Sequence, residues 1–309
     1  MLSVRDLSVS FTQYDVGLAQ KQLTVITGLD LEVEAGQVVA VVGSSGSGKS
    51  LLAHAVLGLL PQNAQVSGEM WLKGELLTPA RQAALRGRAI ALIPQSIGFL
   101  DPLQRVGAQV QRAAVLSGLD RRQARVAQER AFARYGLDPE VKDLFPFQVS
   151  GGMARRVLLS AVTVGQAELL IADEPTPGLH AQMVAETLDH LRELADAGKA
   201  VMLITHDLER ALRVADSVAV FYAGTTLEIA QASDFVNGAG GLRHPYTRAL
   251  WDALPGHGFV PATGTQPPPD ALPVGCLYAP RCPQSQAACR EARPALRRVR
   301  GGLARCNRA

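Results

Sequence analysis

The chain has 309 residues, 47% of them hydrophobic and 19% charged, which is the balance of an ordinary globular protein. Its formal net charge is only +3 and its Lys and Arg residues are dispersed, so a nucleic-acid partner is not indicated. No apolar run approaches the roughly 18 residues of a membrane span, and the first residues lack the pattern of a secretory signal. We therefore expect a cytosolic globular protein.

The first part of the chain has the patterns of β-strands. Apolar and polar residues alternate over residues 29–33, which predicts a strand that ends at Ala35 and Gly36. The apolar run at residues 38–42 predicts a buried strand, and a further short strand is predicted at residues 69–72. The buried strand leads directly into a glycine-rich segment.

That segment, G-S-S-G-S-G-K-S at residues 43–50, matches the phosphate-loop pattern G-x-x-x-x-G-K-[ST]. Its glycines let the backbone turn N–H groups toward a polyphosphate, and a following helix adds the positive end of its dipole. Lys49 can reach the terminal phosphates, and the Ser50 hydroxyl can join the coordination of Mg²⁺. The predicted nucleotide-binding residues are Gly43, Ser44, Ser45, Gly46, Ser47, Gly48, Lys49 and Ser50.

The second part of the chain alternates between helix and strand signals. Helical patterns with charged faces extend from about residue 100 to residue 165. Apolar runs at residues 169–172, 201–204 and 218–221 predict strands, with a helix over residues 184–195 between the first two. This alternation predicts an α/β fold with a mostly parallel core sheet and a helical insertion.

Two carboxylates follow the predicted strand at residues 169–172. Asp173 stands at the strand end, where it can hold Mg²⁺ directly or through water. Glu174 points differently and can polarise the water that attacks a γ-phosphate. A solvated strand edge is the alternative, but the buried run and the upstream phosphate loop favour a metal and base site.

The segment S-G-G-M at residues 150–153 gives the sequence a specific resemblance. It resembles the signature of the ATP-binding cassette (ABC) ATPases and lies upstream of the acidic pair, as in that family. Gln95 resembles the family's Q-loop residue and His206 its switch histidine. The resemblance covers roughly residues 1–236 and implies a P-loop ATPase core sheet with an antiparallel β subdomain and a helical insertion.

Because two cassettes of this family pack head to tail, the resemblance implies that the signature contacts the nucleotide of a partner subunit. Ser150 and Gly152 would open a helix and offer a hydroxyl and backbone N–H groups to that nucleotide. The implied roles are partner-nucleotide binding for Ser150, Gly151, Gly152 and Met153, catalysis for Glu174, His206 and Gln95, and Mg²⁺ binding for Ser50, Gln95 and Asp173.

His180 departs from the family pattern. It stands where the family usually carries an aspartate that bridges the dimer near both ATP sites. An imidazole cannot accept hydrogen bonds in the same way, and a homodimer would carry the defect twice. We therefore expect a heterodimer with a second ABC ATPase that carries the aspartate.

In this family adenine is normally held by an aromatic face near the end of the first strand. Phe11 fits that position, and Tyr14 is the second candidate. An ordinary strand phenylalanine is the alternative interpretation, because a single aromatic residue is weak evidence.

The composition changes after Val236, where N-G-A-G-G at residues 237–241 predicts a linker. The tail at residues 237–309 is rich in Pro, Arg and Cys, and we expect it to form a separate small unit. Its segments H-P-Y-T-R-A-L at residues 244–250 and P-R-C-P at residues 280–283 resemble the tail of dipeptide, oligopeptide and nickel importer ATPases. That resemblance implies two membrane permease subunits, an extracytoplasmic substrate-binding protein and a location on the cytoplasmic face of the inner membrane.

All four cysteines lie in this tail, at Cys276, Cys282, Cys289 and Cys306. Disulfides are not expected in a cytosolic protein, and four thiolates suit a [4Fe–4S] cluster or tetrahedral zinc. The spacing lacks the C-x₂-C pairs of zinc knuckles, and the resembled tail is associated with an iron–sulfur cluster. We expect a structural [4Fe–4S] cluster, with zinc or four reduced thiols as the alternatives.

Two classes of function agree with these features. The first is the ATP-hydrolysing subunit of an importer for di- or oligopeptides, nickel or other metal chelates. The second is a soluble ABC ATPase of translation or DNA repair, although such proteins usually carry a second cassette or a long coiled-coil insertion. The sequence has neither feature, so the importer is the expected function.

Overall fold

The computed structural model describes residues 1–14, 20–236 and 238–309, apart from the side chain of Ala239. Asn237, where the predicted linker begins, lies outside the described residues. The strands are β1 (Leu2–Tyr14), β2 (Gln20–Val33), β3 (Val38–Gly43), β4 (Ala64–Leu72), β5 (Glu75–Leu76), β6 (Ile90–Ile93), β7 (Leu169–Asp173), β8 (Ala200–Ile204), β9 (Ser217–Tyr222), β10 (Thr225–Gln231), β11 (Arg297–Val299) and β12 (Gly302–Ala304). The helices are α1 (Lys49–Leu57), α2 (Pro79–Leu85), α3 (Val106–Leu116), α4 (Arg121–Arg134), α5 (Gly151–Thr163), α6 (Ala181–Asp196), α7 (Leu208–Leu212), α8 (Ala232–Val236), α9 (Pro245–Asp252) and α10 (Ala287–Glu291).

The chain divides into two compact units. Unit 1 contains Met1–Val33, Val39–Leu77 and His206–Ala309, and therefore the phosphate loop and the Cys-rich tail. Unit 2 contains Glu34–Val38 and Thr78–Thr205, and therefore the acidic pair and the S-G-G-M segment. Among the described residues, no helix combines the length and the apolar character that crossing a membrane requires.

An antiparallel sheet in unit 1 has the strand order β2-β1-β4-β5. Leu2 lies opposite Val33 and Val4 opposite Leu31, and all four side chains are buried. One face of the sheet is thus apolar, which explains the alternating pattern of these strands. β4 is longer than the strand predicted at residues 69–72, and the antiparallel β subdomain is confirmed.

A second group of strands in unit 1 has the order β11-β12-β10-β9-β3. β3 and β9 are parallel, and every residue of both is buried, as expected for parallel strands covered on both faces. The other pairs are antiparallel, which makes this sheet mixed. The parallel pairing that the sequence predicts is confirmed for the predicted strands at residues 38–42 and 218–221, which lie in β3 and β9. β9 and β10 form a hairpin whose two turn residues, Ala223 and Gly224, both have positive φ.

The tail extends this sheet instead of forming the separate small unit that its composition predicted, because β12 pairs with β10. The buried guanidinium of Arg243 lies 3.4 Å from the carboxylate of Glu228 on β10 and 2.7 Å from that of Asp234. Its Nε donates to the carbonyl oxygen of Val299 at 2.6 Å. A buried charge is tolerated only when it is paired, so this network fixes the tail on the sheet. The domain boundary at residue 236 stays a prediction.

Unit 2 contains the parallel strands β8, β7 and β6 in that order, and β7 and β8 are fully buried. Helices α3, α4 and α5 surround a separate apolar core that includes Val106, Val110, Phe132 and Val157. These three helices lie in the part of the chain for which the sequence predicts helical structure. Val106 and Val110 are four residues apart and share one face of α3, which is why the helix buries that face.

Candidate functional site

The phosphate loop joins β3 to α1 in unit 1. Gly48 precedes α1 and has a left-handed backbone with φ 93°, a conformation that glycine adopts without strain. The Lys49 ammonium folds back over the loop and donates to the carbonyl oxygens of Gly43 at 2.8 Å and Ser44 at 3.0 Å. A positive charge is therefore held at the helix N-terminus, where anions bind favourably.

The start of the loop leaves no room for a side chain. A Cβ atom on Gly43 would lie 2.2 Å from the carbonyl oxygen of Phe221 and 2.9 Å from the hydroxyl of Ser47. The Ser47 side chain is buried, and its hydroxyl has no hydrogen-bond partner among the residues that the structure describes. An unsatisfied buried hydroxyl is costly unless a ligand accepts its hydrogen bond, so the loop fits a phosphate oxygen.

The acidic pair lies at the end of β7 in unit 2. Asp173 and Glu174 are buried, with exposed fractions of 4% and 8%. Glu174 has a positive φ of 48°, and its N–H donates to the carbonyl oxygen of Ile204 at 2.9 Å. Such a backbone conformation is costly for a non-glycine residue and is typical of functional sites. The change of backbone conformation after the strand suits different roles for the two carboxylates.

Arg155 on α5 is a buried residue to which the sequence analysis gave no role. Its guanidinium donates to the carbonyl oxygens of Pro94 at 2.6 Å and Gln95 at 2.5 Å. Burial lowers the pKa of Arg155, and the carboxylates of Asp173 and Glu174 oppose this shift. Arg155 therefore places a positive charge near both the Q-loop backbone and the acidic pair, all within unit 2. In the sequence, the only indication of this contact is that Arg155 stands next to apolar residues of the predicted helix.

The S-G-G-M segment opens α5 as the sequence predicts. Ser150 is the N-cap residue, and its hydroxyl accepts a hydrogen bond from the Met153 N–H at 3.2 Å. Gly151 and Gly152 form the first turn, whose backbone N–H groups have no carbonyl partner earlier in the helix. Ser150 and Gly151 are exposed, as is the side chain of Gln95. The segment is therefore accessible to a partner molecule.

The two candidate histidines lie in different units. His180 is the N-cap residue of α6 in unit 2, but its side chain forms no capping hydrogen bond within the described part of the chain. His206 is exposed in unit 1 and precedes Asp207. The Asp207 carboxylate caps α7 by accepting from the Arg210 N–H at 3.0 Å. The structure thus places His206 in the unit of the phosphate loop and His180 in the unit of the acidic pair.

The candidate adenine-binding residues both lie on β1. Phe11 is half-buried and pairs with Leu23 of β2 and Ala64 of β4. Tyr14 is 72% exposed. Both rings are partly accessible, so the choice between them stays a prediction.

All four cysteines are free thiols and line one small cavity in unit 1 together with His244. Cys276, Cys289 and Cys306 are buried, and Cys282 is partly exposed. Burial raises the pKa of the thiols of Cys276, Cys282 and Cys306, and neighbouring cysteines raise it further. Within the described residues, no three His, Cys, Asp or Glu side chains are grouped so that they could hold a metal ion. The structure thus places the thiols around one cavity but does not group them as metal ligands.

Two protein-family models match the chain. The model for the ABC transporter family matches residues 26–177, which contain the phosphate loop, the S-G-G-M segment and the acidic pair. The model for the oligopeptide/dipeptide transporter C-terminal region matches residues 227–289. The second match includes three of the four cysteines, Cys276, Cys282 and Cys289.

Curated relatives match nearly the whole chain. The oligopeptide transport ATP-binding protein OppD of Mycobacterium tuberculosis is 38% identical over 320 residues, which cover 96% of this chain and 50% of that protein. The chain therefore spans about half the length of this relative. OppD of Salmonella typhimurium is 34% identical, with coverage of 95% of this chain and 89% of that protein. The dipeptide transport ATP-binding protein DppD of Haemophilus influenzae is 32% identical, with coverage of 99% and 95%.

Solved structures have the same fold. The dimeric, post-hydrolysis structure of the ATP-binding cassette MJ0796 bound to ADP and Pi matches with a TM-score of 0.66 and 22% identity, over 75% of this chain and 99% of that chain. The structure of an ATP binding subunit of an ABC transporter matches with a TM-score of 0.64 and 24% identity, over 77% and 92%. These similarities confirm the predicted cassette fold. The curated relatives show that the chain belongs to the ABC transporter ATPases, in the family of oligopeptide and dipeptide transport ATP-binding proteins.

Proposed function

We propose that the chain binds and hydrolyses ATP to power the import of di- or oligopeptides. The observation that carries the proposal is the geometry of the phosphate loop. The Lys49 ammonium is held across the carbonyl oxygens of Gly43 and Ser44. The buried Ser47 hydroxyl has no partner within the described residues. These donors suit the phosphates of a nucleotide at the start of α1.

The acidic pair supplies further groups that hydrolysis requires. We assign Glu174 as the base that accepts a proton from the attacking water. Ser50, Gln95 and Asp173 offer the oxygen ligands that Mg²⁺ prefers and would hold the ion, which would neutralise charge on the phosphates. His206 completes the proposed catalytic set. Phe11, or Tyr14 in its place, packs against adenine.

A second ATPase subunit is the first proposed partner. The exposed start of α5 at Ser150 supports a contact with the nucleotide held by that subunit. His180 stands where the family usually carries an aspartate, and its side chain forms no capping hydrogen bond within the described residues, so the partner would supply that aspartate from its own chain. We therefore propose a heterodimer.

Two membrane permease subunits are the next proposed partners. Ile97, Phe99 and Leu103 follow Gln95 in unit 2 and are 42%, 59% and 85% exposed. Neighbouring large apolar side chains on a surface are typical of protein contacts. We propose that they dock on a permease, which places the chain on the cytoplasmic face of the inner membrane. An extracytoplasmic binding protein would deliver the cargo.

Peptides are the proposed cargo because the relatives are named for oligopeptide or dipeptide transport. Nickel and other metal chelates have less support, as does a soluble ABC ATPase in translation or DNA repair. We also propose a boundary between an ATPase domain at residues 1–236 and a transporter-type tail at residues 237–309, where the composition of the sequence changes; the tail model begins shortly before it, at residue 227.

An iron–sulfur cluster is the proposed occupant of the thiol cavity. Four free thiols line it, which supplies the ligand set of a [4Fe–4S] cluster. The preference for an iron–sulfur cluster over zinc rests on the spacing of the cysteines, which lacks the C-x₂-C pairs of zinc knuckles. Zinc is the less favoured occupant.

Purification of the tagged full chain from detergent-solubilised membranes of its source organism tests the function. We expect two polytopic membrane proteins and a second ATPase to copurify, and the complex to hydrolyse ATP with Mg²⁺. Peptide added with the binding protein should stimulate hydrolysis, whereas nickel salts should not. Recovery of ribosomal or DNA-repair proteins without a permease would overturn the importer proposal.

A further inference from the structure

We propose that the tail positions the phosphate loop. In this inference Gln266 holds Ser44, the second residue of the loop, and thereby sets the affinity of the loop for nucleotide. The inference rests on the proposed nucleotide-binding function. All of the residues that carry it lie in unit 1.

Gln266 joins the phosphate loop to the hairpin between β9 and β10. Its side-chain carbonyl oxygen accepts a hydrogen bond from the Ser44 hydroxyl at 2.6 Å. The same oxygen accepts from the backbone N–H of Ala223 at 3.1 Å. One tail side chain, 222 residues from Ser44 in sequence, therefore bonds to both segments.

The hairpin is itself in close contact with the loop. The Gly224 N–H donates to the carbonyl oxygen of Ser47 at 3.2 Å. At the other end of the loop, a Cβ atom on Gly43 would lie only 2.2 Å from the Phe221 carbonyl oxygen. Close packing of this kind transmits small displacements. A side chain that bonds to both segments therefore fixes their separation.

Tyr246 approaches Ser44 from α9. Burial raises the pKa of the Tyr246 hydroxyl, and the nearby Ser44 opposes this rise. The Tyr246 ring lies 4.5 Å from the Tyr222 ring and 5.2 Å from the Tyr278 ring, measured between centroids. The Arg281 guanidinium lies over the rings of Tyr222 and Tyr278 and donates a hydrogen bond to the Tyr222 hydroxyl at 3.2 Å. Aromatic packing thus restricts the Tyr246 side chain.

Ser44 is also the residue on which the internal bonds of the loop converge. Its carbonyl oxygen accepts from the Lys49 ammonium at 3.0 Å and from the Ser47 N–H at 3.2 Å. Holding the Ser44 side chain from the tail limits the conformations of the empty loop. A loop that is already ordered loses less conformational entropy when it binds a ligand, and so binds it more tightly.

Gln266→Leu in the full chain tests the inference, because leucine keeps the approximate size and removes the acceptor. With a fluorescent ATP analogue and Mg²⁺ as the probe, we expect the dissociation constant to rise about three- to tenfold, as for the loss of one or two hydrogen bonds. Gln286→Leu is the matched control, since Gln286 is an exposed tail glutamine. It should bind the probe like the native chain.

A double-mutant cycle with Ser44→Ala separates positioning from general loosening of the tail. If Gln266 acts through Ser44, Gln266→Leu weakens binding less in the Ser44→Ala background than in the native one. Fully additive effects would overturn the inference, and so would native affinity in Gln266→Leu. A native chain that does not bind the probe would instead contradict the proposed function.

Discussion

The guanidinium of Arg155 lies 2.5 Å from the carbonyl oxygen of Gln95, and this contact joins the signature helix α5 to the Q-loop. The same guanidinium donates to the preceding carbonyl oxygen, that of Pro94, at 2.6 Å. Hydrogen bonds from a charged donor are among the stronger ones in proteins. The Q-loop backbone is therefore held in place while the Gln95 side chain is left exposed.

Arg155→Lys tests this contact, because lysine keeps the positive charge but lacks the planar fork that reaches two acceptors. We expect the rate of ATP hydrolysis at saturating ATP to fall about tenfold or more, since a hydrogen bond to a charged group contributes about 1.5–3 kcal/mol. Arg156→Lys is the matched control, because Arg156 donates to the Gly136 carbonyl oxygen at 2.7 Å instead. Equal losses in the two variants would argue against a specific role for Arg155.

Glu174→Gln should retain ATP binding and stop turnover, because the amide keeps the shape of the side chain but cannot act as a base. We expect hydrolysis to fall by about two to four orders of magnitude. Lys49→Ala should abolish ATP binding itself, since it removes the charge that meets the phosphates. Equilibrium binding and steady-state hydrolysis, measured on both variants, distinguish these effects. Hydrolysis at the native rate by the Glu174→Gln protein would show that another residue is the base.

The isolated chain should hydrolyse ATP weakly, and addition of the partner ATPase should increase the rate. His180→Asp should raise the activity of the isolated chain, because an aspartate can accept hydrogen bonds at the dimer interface. The measurement is ATPase rate against protein concentration, with and without the partner. Full activity of the native chain alone, unchanged by any partner, would contradict the heterodimer.

Protein purified without oxygen should be brown and carry about four irons per chain, as a four-cysteine cluster requires. Cys276→Ser should bleach the colour and lower the thermal stability of the tail while ATP binding is largely retained. Iron and zinc analysis, with absorption spectra, measures the first effect. Colourless protein with neither metal would refute the cluster, and stoichiometric zinc without iron would support the zinc alternative.

The buried side chain of His190 is expected to make the folded chain less stable in acid. The Tyr135 hydroxyl hydrogen-bonds to its Nδ1 atom, and burial lowers the pKa of His190 from 6.5 to about 4. The nearby Arg134 lowers this pKa further, and Glu193 opposes the shift. The folded pKa therefore lies below the unfolded one, so the unfolded state binds the proton first as the pH falls. The contribution of His190 to the free energy of unfolding is therefore fully present above about pH 6.5 and is lost as the pH falls toward 4.

The size of that loss is measurable by urea unfolding at pH 7 and pH 5. His190 alone should reduce the free energy of unfolding by about 2 kcal/mol over this interval. His190→Gln should show a correspondingly smaller difference between the two pH values, whatever its stability at pH 7. If the variant has the same pH dependence as the native chain, His190 is not the group responsible.

The phosphate loop could be predicted from the sequence because strand, loop and helix follow one another directly along the chain. The contact between Arg155 and Pro94 could not, because it joins residues 61 positions apart and leaves no periodic signal. The same holds for Ser44 and Gln266, which are 222 positions apart.

The pairing of the tail with the sheet could not be predicted from the sequence, for a related reason. Proline-rich composition indicates that a segment has little core of its own, but it does not show which surface the segment can join. The buried pair of Arg243 and Glu228 makes that connection, and each residue alone looks like an ordinary surface charge in the sequence.

β11 ends the sheet of unit 1 with a strand of only three residues. Arg297 and Arg298 on this strand are exposed, and the exposed Arg300 follows it. A short edge strand with like charges pairs poorly with the edge of a second molecule. Without β11 and β12, the seven-residue β10 would be the edge strand. The end of the tail therefore protects the sheet from edge-to-edge aggregation.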